Sequence, residues 1–128
     1  MLTKVLSLAA LIGAGILFAA TAFAGAGDYK FDLVSARPAS GKTDVTVRLT
    51  HVPDSKPVGG AIIFQPKAIM VGMENMSAAA TVELGPQPGT YVLHVATGMA
   101  GPWLLNLSAK VQGESETVRA AVQFEAAQ

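Results

Sequence analysis

The amino-acid sequence predicts an all-β fold, a seven-stranded immunoglobulin-like antiparallel β-sandwich that follows an N-terminal signal helix. Apolar side chains beyond the N-terminus recur at every second residue, the period of a strand with one buried face. Clusters of Gly, Pro, Ser and Asp interrupt these runs often, as sandwich turns do. The chain has 128 residues and no cysteine, so there is room for one domain held together by packing alone.

The first element is read from residues 1–24, MLTKVLSLAALIGAGILFAATAFA. Lys4 is its only charge, an apolar run extends from Val5 to Phe18, and the segment ends in Ala22-Phe23-Ala24. A basic start, an apolar middle and an A-x-A terminus make a secretory signal cleaved after Ala24. The rival is an uncleaved membrane anchor, because Val5 to Phe23 is uncharged and nearly long enough to span. Both readings export the remainder, residues 25–128. Without Lys4 that remainder has eight basic and nine acidic residues, a net charge near −1. Such a balance excludes a nucleic-acid binder, which needs a basic excess or stripe.

Strands are expected near 28–35, 43–51, 58–65, 79–84, 90–96, 102–111 and 116–125. Tyr29, Phe31 and Leu33 share one face of the first, with Lys30 and Asp32 on the other. Val45, Val47 and Leu49 do the same in the second, and Val118, Ala120, Val122 and Phe124 in the last. Turn clusters lie at 37–41, 53–57, 85–89, 98–102 and 112–114. Pro88-Gly89-Thr90-Tyr91 sets a tyrosine at the start of a strand after a tight turn, as in a tyrosine corner. In that strand Tyr91, Leu93 and Val95 face inward, while Val92 and His94 face outward.

Residues 65–77 break the rhythm. Pro66 and Gly72 weaken this stretch as a strand, so it reads as a long connection, and long connections in compact domains are often functional. It carries Met70, Met73 and Met76. At three residues per turn these three sulfurs would face one way, whereas on a regular strand they would alternate. Strand parity places the 66–78 connection and the Gly98–Pro102 turn at the same end of the sandwich, which adds Met99. Thioethers are soft, neutral donors suited to Cu(I) and Ag(I), and poor ligands for Zn²⁺, Ca²⁺ or Mg²⁺. The plain alternative is that these methionines fill gaps in the core or form an adaptable binding surface.

Other candidates are secondary. Trp103 is a sandwich-core tryptophan by default, and its ring can also shield a bound cation. His94, outward on its strand, is a second candidate ligand. His51 falls at the opposite end and reads as a polar strand terminus. No Ser-His-Asp order, paired acids with a cleft or phosphate loop is present, so no enzyme is expected.

Pro57-Val-Gly-Gly-Ala61, Met70-x2-Met73-x2-Met76, Pro88-Gly-Thr-Tyr91 and Met99-Ala-Gly-Pro-Trp103, in this order, resemble the YtkA-like and FixH-like periplasmic domains. The likeness covers about residues 28–125. It implies copper handling, with copper or heavy-metal transport or oxidase-assembly proteins as partners. The Met-x2-Met-x2-Met run is also similar to the Cu(I) loop of the CopC/PcoC copper-resistance sandwiches. Those proteins hold Cu(II) on an N-terminal His, which a chain beginning at Gly25 lacks.

The expectation is therefore a periplasmic Cu(I)/Ag(I)-binding protein, a metal chaperone or scavenger, with Met70, Met73, Met76 and Met99 as ligands. Its only expected membrane contact is an uncleaved residue 1–24 segment. The alternative is a non-metal accessory module that docks to an exporter or oxidase assembly through the Met-rich stretch.

Overall fold

The structure is a computed structural model and describes residues 26–127, so the signal-peptide reading of residues 1–24 lies outside the described residues. Eight strands follow in order: β1 (Tyr29–Ala39), β2 (Lys42–His51), β3 (Lys56–Pro57), β4 (Ile62–Met70), β5 (Met73–Leu84), β6 (Thr90–Val95), β7 (Gly101–Lys110) and β8 (Val118–Ala126). The strand path runs β1-β2-β6-β5-β4-β7-β8, with two-residue β3 added beside β2, and every pairing is antiparallel. This is the immunoglobulin order, in which one sheet holds the first, second, fifth and fourth principal strands and the other holds the third, sixth and seventh.

The two sheets share β5. Its first part pairs with β4, up to Ala79, and its last part, Ala80–Leu84, pairs with β6. The chain thereby crosses from the second sheet (β4, β7, β8) to the first (β1, β2, β3, β6). Between the sheets lies the core that the alternation dictates. Val45, Val47 and Leu49 of β2 are completely buried, as are Leu93 and Val95 of β6 and Leu105 of β7. Each such side chain stabilises the fold by about 1.5–3 kcal/mol relative to exposure. Trp103 and Phe124, opposite one another on β7 and β8, are the bulkiest buried side chains of the second sheet.

Leu33 stands opposite buried Val47, on the face that Tyr29 and Phe31 share, but at the edge of the sheet it is left exposed. The register of β1 on β2 shifts just after it, between Leu33 and Ser35, and the extra residue reverses the side-chain parity of β1 beyond that point. Tyr91 is buried at the start of β6, yet it does not make a tyrosine corner. Its hydroxyl donates to the Val58 carbonyl at 2.7 Å and accepts from the Ala61 N–H at 3.1 Å, about 30 residues upstream rather than a few. It fastens the irregular segment between β3 and β4 to the first sheet.

The largest correction concerns residues 66–78, which are not a long connection. β4 continues through Met70, β5 begins at Met73, and only Val71 and Gly72 join them. The third expected strand therefore moves from 58–65 to Ile62–Met70, and the fourth lengthens from 79–84 to Met73–Leu84. Gly72 supplies a φ of +85° for this tight turn. Pro66 is tolerated because β4 is bulged there, the register on β7 shifting between Phe64 and Lys67.

Candidate metal centre

The four candidate methionines, Met70, Met73, Met76 and Met99, lie on segments at one end of the sandwich. Met70 and Met73 face each other across the last rung of the β4–β5 hairpin. The next rung pairs Ile69 with Ser77, so Glu74, Asn75 and Met76 are accommodated between two adjacent rungs. An unbroken strand would carry Met76 about 10 Å from Met73 at ~3.3 Å per residue. Here Met76 immediately precedes the Ile69–Ser77 rung, the rung next to the Met70–Met73 one.

Met99 approaches from the β6–β7 connection. Two contacts bind both segments to neighbouring residues of β7. The Val71 N–H at the hairpin tip donates to the Pro102 carbonyl at 3.0 Å. The Trp103 indole N–H donates to the Met99 carbonyl at 3.2 Å. Trp103 is also the cross-strand partner of Met70. On its other side the Met99 connection is held to the β1–β2 turn by Gly98 N–H to Gly41 carbonyl, 3.1 Å, and by the buried Thr43–Thr97 hydroxyl pair, 3.0 Å. The β1–β2, β4–β5 and β6–β7 connections thus form one end.

Exposure divides the four methionines. Met73 and Met99 are 44% and 40% exposed, Met76 is half-buried against the core, and Met70 is only 8% exposed. Met70 lies over Gly101, where a Cβ would stand 2.8 Å from its terminal methyl. Gly101 also has a φ of +130°, and it lets the β7 backbone start close beneath that side chain. Trp103 is buried as the core tryptophan, with 1% exposure. The exposed Val71 between Met70 and Met73 makes the tip apolar.

The donors gathered here are thioethers. Among the described residues no group of three His, Asp or Glu side chains is placed to hold a metal ion. Thioethers are soft, neutral donors, whereas Zn²⁺ and Ca²⁺ prefer nitrogen or oxygen.

His94 is engaged elsewhere. On the outer face of the first sheet its Nδ1 meets Asp44 Oδ1 at 2.7 Å, and its Nε2 meets Glu83 Oε2. Both ring nitrogens are occupied by carboxylates, which leaves none for a metal ion. The hydrogen bonds to Asp44 and then Glu83 raise the imidazole pKa above the ordinary histidine value. His51 sits at the far end of β2, paired with Asp54 at 2.8 Å and tilted against the Tyr29 ring at 5.0 Å.

Sequence reasoning missed Gly101, Pro102 and Val71 as the residues that join the two methionine segments, and Asp44 and Glu83 as the partners of His94. The first group had a signal, since the Gly-Pro pair two residues after Met99 marks where a strand begins under a close neighbour. The second had none at short range, because Asp44, Glu83 and His94 meet only through sheet register.

The strand order and pairing define an all-β, immunoglobulin-like sandwich domain. A model of the YtkA-like family matches residues 23–108, well over half of the chain, and the protein belongs to that family. No curated protein shows a significant match to it.

Proposed function

We propose that this is an exported, periplasmic protein that binds Cu(I), or Ag(I) by the same chemistry, and acts as a metal chaperone or scavenger. Met70, Met73, Met76 and Met99 are the ligands in this reading, and copper or heavy-metal transport or oxidase-assembly proteins are the partners. The observation that carries it is the fastening of two distant methionine segments to Pro102 and Trp103 at one end of the sheets. Exposed Met73 and Met99 receive the ion first. Met76 and Met70 complete the set by turning outward, which unbranched side chains with several rotatable bonds do readily. Trp103 walls the site from the core side and limits access of water. Ligand exchange through the exposed pair then passes the ion on.

The apolar tip formed by Val71, Met73 and Met99 also suits the alternative, a docking surface without metal. The two readings separate on one substitution set. The purified protein is titrated with Cu(I) under anaerobic conditions beside the Met70→Leu, Met73→Leu, Met76→Leu variant. Leucine conserves volume and apolarity but removes sulfur. A Cu(I) affinity lowered at least about a hundredfold in the variant supports the thioether centre. Equal affinity refutes it, and retained docking to partners by the same variant favours the surface reading.

A further inference from the structure

We propose that the outer face of the first sheet carries a second binding site, for a small dicarboxylate held between Arg37 and Arg48. A trough of about 350 Å³ opens on this face. Its size falls in the range of small-ligand sites. Arg37 lies opposite Asp44 on the β1–β2 ladder, and Arg48 stands four residues further along β2. At ~3.3 Å per residue the two arginines are rooted about 13 Å apart along the trough. None of the ion pairs of the described residues involves either arginine. The one polar side-chain contact, Arg48 Nη2 to Gln87 Oε1, is 3.4 Å long.

The floor between them is mixed in a useful way. Ser35 and Thr46 face each other across β1 and β2, and Thr46 is the partner of Val92 on β6. Hydroxyls and an aliphatic side chain thus separate the two cations. A short carbon chain with a carboxylate at each end meets both, each in the planar, two-point fashion that guanidinium favours. Asp44 is the one carboxylate in the lining, and its Oδ1 is already held by the His94 imidazole at 2.7 Å, which lessens its repulsion. The site is independent of the methionine end and of the metal reading.

Glutarate is the probe. Its binding to the purified protein is followed by amide chemical shifts, with acetate, inorganic phosphate and glutaramide as controls. The expected result is saturable shifts confined to residues 34–37, 44–48 and 86–92. Arg37→Gln and Arg48→Gln each weaken glutarate about tenfold, as loss of one charge-assisted pair predicts. Both are surface substitutions, so far-ultraviolet circular dichroism and the thermal midpoint should stay at wild-type values. Met73→Leu should leave glutarate binding unchanged. Absence of saturable shifts overturns the proposal, as does binding that survives either arginine substitution or an equal response to acetate, phosphate or glutaramide.

Discussion

Single residues at the methionine end combine a backbone constraint with a side-chain one. Gly101 adopts a φ of +130° directly beneath Met70, and a methyl group placed on its Cα would stand 2.8 Å from the Met70 terminal carbon. The flexible thioether can swing aside, so the main cost of Gly101→Ala is in the backbone, about 1–3 kcal/mol. A lower urea midpoint with an unchanged slope is the expected reading. Displacement of Met70 should also alter Cu(I) affinity, a coupling that Gly72→Ala at the hairpin tip would show less, since nothing stands within 4 Å of its Cβ position. Tyr91 shows the same logic with polar atoms. Tyr91→Phe keeps the buried ring but strands the Val58 carbonyl and the Ala61 N–H, both half-buried beside the ring, at about 1–3 kcal/mol. Equilibrium denaturation measures it directly. If the variant matches the wild type, water has replaced the hydroxyl and the clasp contributes nothing.

Among elements, β2, β5 and β6 are joined on their outer face by one imidazole between two carboxylates. Asp44, then Glu83, raise the His94 pKa above its unfolded value. The folded state therefore holds this proton more tightly. The resulting stabilisation is complete below the ordinary histidine pKa and disappears as pH rises through the higher folded value. The thermal midpoint should fall across that window, and His94→Gln should flatten the fall. A wild-type profile as flat as that of the variant would show that solvent screens the cluster. The alternation that places Asp44 and His94 on the outer face is legible in the sequence, and so are β2, β6, β7 and β8. How far β4 and β5 extend is not. Pro66 and Gly72 are breakers by composition, but a bulge absorbs the first and a two-residue turn uses the second. Ala78, Ala79 and Ala80 carry little strand propensity, yet they pair well where two sheets meet. The even methionine spacing suggests a helical turn. The segment is instead a bulged hairpin, whose signal is tertiary.

For the molecule as a whole, a cysteine-free sandwich depends on its core, and any ligand that binds only the folded state adds to that stability. A thioether centre links this effect to pH in a distinctive way. Thioethers bind without losing a proton, so Cu(I) affinity should change little between about pH 6 and pH 8, unlike affinity at His or Cys donors. The His94 cluster, on another face, makes the protein itself less stable over part of the same interval. The two dependences should therefore separate experimentally. With Cu(I) at about a hundred times its dissociation constant, the gain is about 2.7 kcal/mol at either pH, superimposed on an apo stability that declines as pH rises. Thermal unfolding with and without Cu(I), at both pH values, supplies the four midpoints needed. A Cu(I) increment of similar size at the two pH values supports thioether coordination. An increment that grows steeply with pH would instead identify a ligand that must shed a proton, and would refute thioether coordination.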